Sequence, residues 1–502
     1  MNITYYQLKQ LSLYFIVSIL SISALQAEKE KPLPNVLILY ADDMGYGDLG
    51  VQNPESKIPT PHLDQLAKEG MRFTDGHSSS GICTPSRYAL LTGRYHWREF
   101  HGIVKAFGES VFTPELVTLP EMLQSQGYAT ACIGKWHLGW DWNSIRKSNA
   151  TNKGLHFANY DWSKPIADGP LAHGFDYYFG DNVINFPPYV WIENDKVVDV
   201  PDTQMSTKNW KPLKEGGWEC RPGPMITGWD PYEVLPEITR KAVSYIEGRK
   251  EQDQPFFLYF SFPSPHAPIV PAEEFEGKSD AGPYGDFVYQ TDWSCGQILQ
   301  ALEDNGLADN TIVIFTADNG AEHFAYPRAK KYGHWSSKPF RGLKRDIYEG
   351  GHHVPFLVKW PAQVEANSVS DALVSQIDIM GTIAAAVGIE VPEKAAFDSY
   401  NFLPVLTGEK VKARESMVHN TFEEAYAMRQ GDWVLINATT GNHNGGRAKQ
   451  FEVDNGYTKQ ANTPVQLYNL AKDPAQKVNL AEIHPEKVEE LQSLLAQIRF
   501  QL

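Results

Sequence analysis

Cysteine is scarce, with four in 502 residues. Cys83, Cys132, Cys220 and Cys295 are too few and too scattered to define a disulfide framework, although an exported chain could form bridges. Basic charge is short as well. Lys and Arg total 45 against 61 Asp and Glu, a net charge of −16. Nothing in that balance offsets phosphate repulsion, which argues against a nucleic-acid binder. An anionic substrate stays open, because local charge can oppose the mean. The N-terminus lacks an apolar run of spanning length. Leu11 to Leu25 is shorter than the roughly 20 apolar residues a membrane helix needs. Lys9 before it and small Ala27 after it make residues 1–27 an expected cleaved export signal, hence a secreted or periplasmic location. No cysteine follows that stretch to carry a lipid. The first strand is not followed by Gly-x-Gly-x-x-Gly, which disfavours a dinucleotide enzyme. Gly134-Lys135 lacks the upstream glycine and the Ser or Thr of a phosphate loop.

The composition, 42% hydrophobic and 21% charged, supplies a large core, and the length suggests more than one domain. Short apolar runs alternate with helical patterns, which reads as α/β with a largely parallel sheet. Strands are expected at Asn35–Tyr40, Ala129–Ile133, Phe256–Phe260, Thr311–Thr316 and Val354–Val358. A helix is expected after Thr60, with that residue as N-cap, Pro61 in the first turn and Gly70 beyond the end. Thr118 and Glu121 have the spacing of a capping box for a second helix, ending near Gly127. Trp140 to Asp230, rich in Trp, Gly and Pro, reads as long loops. Past about Gly388 the pattern turns to short antiparallel strands at Ser416–Val418, Ala425–Met428 and Trp433–Ile436, with a closing helix at about Pro485–Arg499.

Polar clusters leave the carboxyl ends of four strands: Asp42-Asp43, Gly134 to His137, Ser264 to His266, and Asp318-Asn319. In open α/β sheets that edge is where ligands bind, so the four should converge on one pocket. An acidic pair at a strand end is by itself commonly a turn. Two such pairs on one edge favour a cation site. Asp42, Asp43, Asp318 and Asn319 offer oxygen only, which selects calcium or magnesium over zinc or copper, and calcium tolerates ligands drawn from separate strands. Cys83 stands where a helix begins. It reads as a thiolate nucleophile stabilised by the helix dipole or as a buried core residue. Arg87, one turn on, can fork onto an oxyanion.

These residues resemble the formylglycine-dependent sulfatases, the arylsulfatase branch of the alkaline phosphatase superfamily. The likeness runs from Asn35 to about Pro361 and continues more weakly to the C-terminus. It is carried by Cys83-Thr-Pro85-Ser-Arg87 with Leu91 to Arg94, by Ala41 to Asp48, Gly134 to Gly139 and Thr316 to Gly320, and by Lys344 with Tyr348 to Gly351. It implies that a maturation enzyme oxidises Cys83 to formylglycine. It implies further that Asp42, Asp43, modified Cys83, Asp318 and Asn319 hold one calcium ion, and that Arg87, Lys135, His137, His266 and Lys344 surround the sulfate. The implied fold is a large mixed, mostly parallel sheet between helices over 28–388, with a smaller C-terminal α+β domain over 389–502. The alternatives are a phosphate or phosphonate ester hydrolase with the same site, and an inactive binder of sulfated glycans. Seven basic residues from Arg328 to Arg345 suggest a basic rim for a multiply sulfated substrate. Trp140, Trp142, Trp162, Trp191, Trp210, Trp218 and Trp229 suggest sugar stacking, some of them being core. With export, these favour a sulfated carbohydrate.

Overall fold

β1 (Asn35–Ala41) is buried along its whole length, as a parallel strand covered on both faces must be. The computed structural model describes residues 32–151, 155–208, 210–392, 395–457 and 463–501, so the expected export signal lies outside the described residues. Around β1 runs a ten-stranded sheet. Its other members are β2 (Met71–Phe73), β3 (Ala129–Lys135), β4 (Tyr177–Asn182), β5 (Ile192–Glu193), β6 (Lys196–Val197), β7 (Phe256–Ser261), β8 (Thr311–Ala317), β9 (Phe356–Lys359) and β10 (Ser368–Ser370). The spatial order is β10-β2-β9-β8-β1-β7-β3-β4-β5-β6. The middle, β8-β1-β7-β3-β4, is parallel throughout. β9 pairs antiparallel with β8 and with β2, and β5 antiparallel with β4, so the sheet is mixed at its flanks.

Alternation along β1 sorts the two cores. Val36, Ile38 and Tyr40 face a cluster that includes Leu90 and Leu91 of α2 (Cys83–Thr92). Leu37, Leu39 and Ala41 face the opposite cluster, with Leu63 and Leu66 of α1 (Pro61–Glu69) and residues of α4 (Val234–Glu247) and α5 (Gly282–Asp304). Thr60 does not cap α1. Its hydroxyl instead donates to Asp64 Oδ1 (3.0 Å) and accepts from Gly50 N–H (3.0 Å). The Thr118–Glu121 box is formed on α3 (Leu119–Gln124): Glu121 N–H donates to Thr118 Oγ1 (3.3 Å), and Thr118 N–H to Glu121 Oε2 (2.7 Å). The stretch expected to be loops contains β4, β5 and β6.

A second sheet of four antiparallel strands, β11 (Ser416–Asn420), β12 (Tyr426–Gln430), β13 (Trp433–Ile436) and β14 (Gln466–Asn469), packs against α6 (Pro485–Phe500). Phe402, Val405 and Leu406 still belong to the core of the large sheet. No helix among the described residues is long and apolar enough to cross a membrane.

Candidate active site

Four parallel strands deliver the polar groups. β1 ends into Asp42 and Asp43, β3 ends on Lys135, β7 ends on Ser261 a few residues before His266, and β8 ends into Asp318 and Asn319. All are buried except half-buried His266. α2 opens with Cys83, so its unpaired first-turn N–H groups lie at the same edge. The helix stops at Gly93, whose left-handed backbone (φ 64°) lets its N–H reach Ala89 O at 2.9 Å. Gly134 (φ 106°) sits where the β3–β4 register shifts, with the Ser261 carbonyl against its α-carbon, and this turn aims Lys135.

Ligand atoms of Asp42, Asp43, Cys83 and His266 lie within 4.8 Å of one another. Asp318 joins through Arg87, whose Nη2 donates to Asp318 Oδ2 (2.7 Å) and lies 3.6 Å from Asp42 Oδ1. The same guanidinium donates to Ser261 Oγ. Asp43 N–H donates to Asp318 Oδ1 (3.1 Å), and Asn319 Nδ2 to Asp43 Oδ1 (2.7 Å). Lys135 Nζ donates to Asp42 Oδ2 (2.5 Å), and Lys344 Nζ lies 2.6 Å from Asp43 Oδ1. His266 Nε2 is 3.7 Å from Asp43 Oδ2. His137 Nε2 faces the Val104 carbonyl at 3.0 Å, which makes Nε2 the protonated nitrogen and leaves Nδ1 a buried, unpartnered acceptor. Direct contacts thus bring together Asp42, Asp43, Cys83, Arg87, Lys135, His266, Asp318, Asn319 and Lys344, while His137 lies where the charges of Lys135, Arg87 and His266 act on it.

The donor set fits a hard cation. Asp42 Oδ1 and Asn319 Oδ1 are buried without hydrogen-bond partners, and every carboxylate and amide donor is oxygen. Burial pushes the Asp43 carboxyl up to about 7 against the pull of Lys344. Burial acts on Asp42 the same way, but Lys135, Arg87 and Lys344 together hold it below the usual carboxylate range. Burial pushes the Cys83 thiol up to about 11, with Lys135 and Lys344 opposing. An unmodified cysteine here is no ready thiolate. Burial holds both His137 and His266 well below the ordinary imidazole value, helped by Lys135 and Arg87 at His137 and by Lys344 and Lys135 at His266.

Two charged residues of the site, Asp181 and Glu322, carry no motif in the sequence. Asp181, on β4 beside Lys135, has both carboxylate oxygens buried without partners, and burial raises it to about 7. Glu322 accepts from Arg345 and stands 3.8 Å from Lys344 Nζ. The basic stretch is not a free cationic surface. Arg328 pairs with Glu215 and stacks on Tyr284, Arg341 pairs with Glu452, Arg345 with Glu322 and Lys338 with Glu55, so the expected basic rim is largely neutralised. Trp140, Trp142, Trp162 and Trp229 are core, while Trp191, Trp210 and Trp218 are half-buried.

Similar folds define the class. A solved chain from Bacteroides thetaiotaomicron, studied for its metabolism of multiple glycosaminoglycans, superposes with TM-score 0.78 at 32% identity, over 94% of this chain and all of that one. The phosphonate monoester hydrolase of Agrobacterium radiobacter shares the fold at TM-score 0.58 and 17% identity, over 92% of this chain and 96% of that one. The fold is the one these solved chains share, a large mixed sheet with a smaller antiparallel C-terminal sheet. Residues 34–389 match the family described as Sulfatase, and residues 343–501 the C-terminal region of N-sulphoglucosamine sulphohydrolase. The N-acetylgalactosamine-6-O-sulfatase of Bacteroides thetaiotaomicron is 35% identical over 93% of each chain. The human N-acetylgalactosamine-6-sulfatase is 34% identical, covering 82% of this chain and 70% of its own. The chain belongs to the sulfatase family and is a sulfuric ester hydrolase.

Proposed function

We propose that this sulfatase removes the 6-O-sulfate of an N-acetylgalactosamine-type sugar in an exported setting, through a formylglycine made from Cys83 beside one calcium ion. The observation that carries this reading is the 4.8 Å gathering of Asp42, Asp43, Cys83 and His266, with orphaned oxygens on Asp42 and Asn319. The substrate class comes from the names of the two galactosamine-6-sulfatase relatives.

Asp42, Asp43, Asp318 and Asn319 would hold the cation. When bound, the cation supplies positive charge for a sulfuryl oxygen, and the formylglycine hydrate supplies the attacking hydroxyl. Lys135 and Lys344 neutralise charge on the remaining sulfuryl oxygens, the electrostatic role that usually dominates group transfer. Arg87, fixed by Asp318 and Ser261, orients the residue at position 83. His266 gives a proton to the departing alcohol. Its pocket holds it neutral in the free protein, and an anionic ester beside it favours the protonated form. In the second half His137 Nδ1 would accept the proton of the hydrate's other hydroxyl, so that the C–O bond to the sulfate breaks, sulfate leaves and the aldehyde returns; Val104 fixes the tautomer of His137. The test is free sulfate released from a panel of defined sulfated mono- and oligosaccharides. The reading predicts release from 6-sulfated N-acetylgalactosamine and none from 4-sulfated isomers. Preferred release from another position would refute the assignment of the sugar.

A further inference from the structure

Away from the catalytic pocket, a cavity of about 600 Å³ opens between α6 and the segment from Arg94 to His101. Its walls carry Arg94, Trp97, Arg98 and Arg499 with Phe397 and Phe500. The volume is that of a small-ligand site.

Arg98 is committed to the scaffold. It forks onto Asp398 (2.6 and 2.8 Å) and donates to the Ile498 and Gln501 carbonyls at the end of α6. Arg499 is not so committed. Its guanidinium lies over the Tyr426 ring at 4.0 Å, and among the described residues no carboxylate lies within ion-pair distance of it. Trp97 is only 9% exposed, yet among the described residues its indole N–H has no partner, and neither has the Arg94 Nε–H. Among the described residues the only acid on the wall is Glu99, which pairs with Arg94 at 3.1 Å. In a chain of net charge −16, Arg499 is thus a cation without an acidic partner among the described residues, set beside two unsatisfied donors. Phe500, 76% exposed, and Phe397, 40% exposed, add flat apolar faces at the mouth. Donors, cations and aromatic faces complement one chemistry, an anionic sugar ring.

The cavity also connects to the catalytic centre along the chain. His101 on its wall stands three residues before Val104, whose carbonyl faces His137. Three residues span at most about 11 Å, so one short segment borders both the cavity and the catalytic pocket. We propose that this cavity is an accessory site that holds a second anionic residue, sulfated or carboxylated, of the polysaccharide whose sulfate ester occupies the catalytic pocket. The proposal rests on the carbohydrate reading above. It makes the enzyme selective for chain length, through Arg499 and Phe500.

The test is equilibrium binding to the full chain carrying Cys83→Ala, which prevents turnover. The probes are a 6-sulfated galactosamine–uronate hexasaccharide, the matching disaccharide, the desulfated hexasaccharide and an uncharged hexasaccharide. Arg499→Glu should weaken the sulfated hexasaccharide about tenfold, to the level of the disaccharide, and Phe500→Ala should weaken it less. Both positions are exposed at a helix end, and unchanged disaccharide binding and thermal midpoint check that these variants fold. Retention of desulfated-hexasaccharide binding, lost again on Arg499→Glu, would identify the carboxylate as the bound anion. Equal affinity of the sulfated hexasaccharide for the parent and Arg499→Glu overturns the proposal, as does equally tight binding of the uncharged chain. Hexasaccharide binding that depends on Arg499, in a wild-type enzyme that releases no sulfate from any sugar, would sink the proposed activity and leave this site standing.

Discussion

His137 illustrates how a single hydrogen bond assigns a role. The Val104 carbonyl takes its Nε2 proton, so the buried Nδ1 lone pair is the group able to accept one. Loss of that base should slow the second half of the reaction and leave the first intact. His137→Ala should release one equivalent of desulfated alcohol in a burst, then turn over about 10²–10⁴-fold more slowly. Rapid-quench analysis of alcohol and sulfate separately checks this, and normal steady turnover would remove His137 from the role. Asp43 carries a second prediction. Its carboxyl sits among Asp42, Asp318 and Glu322, and its rise to about 7 records burial and that crowding. A cation on these oxygens relieves the repulsion and stabilises the fold by mass action, about 3 kcal/mol at a hundredfold excess over its dissociation constant. Chelation should therefore lower the thermal midpoint, and calcium should restore it. In Asp43→Asn the midpoint should respond little to calcium. An unchanged calcium response in that variant would mean the ion sits elsewhere.

At the level of elements, the strand ends do the positioning. Gly134 lets β3 shift register and turn Lys135 into the site, with no room for a β-carbon beside the Ser261 carbonyl. Gly134→Ala should cost about 1–3 kcal/mol in urea unfolding and depress sulfate release with it. Thr118→Ala, which removes a cap far from the chemistry, should cost about 1 kcal/mol and leave sulfate release unchanged. The four catalytic strands were legible because each is a short unbroken apolar run that stops at a polar cluster. β4 was not, because Tyr177–Asn182 ends in Gly-Asp-Asn inside a stretch dense in Gly and Pro. Asp181 was lost with it. The antiparallel run of β9 could not be read either, since a buried strand has the same apolar pattern in both directions. Thr60 had the composition of a cap, but Asp64 and Gly50 compete for its hydroxyl. Lys344 reaches Asp43 from a loop remote in sequence, so only the family resemblance placed it, and nothing pointed to its neighbour Glu322. The basic stretch failed as a clue because its acidic partners, Glu215 and Glu452, lie over a hundred residues away in sequence.

Across the whole molecule, the two sheets meet over a buried histidine cluster. His77 Nδ1 faces His352 Nδ1 at 3.1 Å, His419 of β11 stacks on His352 at 3.6 Å, and Arg429 of β12 forks onto Asp75. Burial chiefly lowers His77 to about 4 and His352 to about 3, and holds His419 well below its ordinary value. The same rings titrate near 6.5 when unfolded, so acid favours the unfolded chain. Their contribution is complete above about pH 6.5 and is lost as pH falls through 4 and 3. The thermal midpoint should drop across that window, and His419→Phe, which keeps the ring stack, should flatten the drop. An identical profile in the variant would take His419 out of this linkage.

The proposed activity depends on the chemical state of one residue, the buried cysteine at the mouth of α2. Mass spectrometry of the peptide spanning Cys83, on the same preparation assayed for sulfate release, measures it directly. The prediction is an aldehyde in place of the thiol, with specific activity rising in proportion to the converted fraction. A fully active preparation whose position 83 is entirely thiol would contradict it.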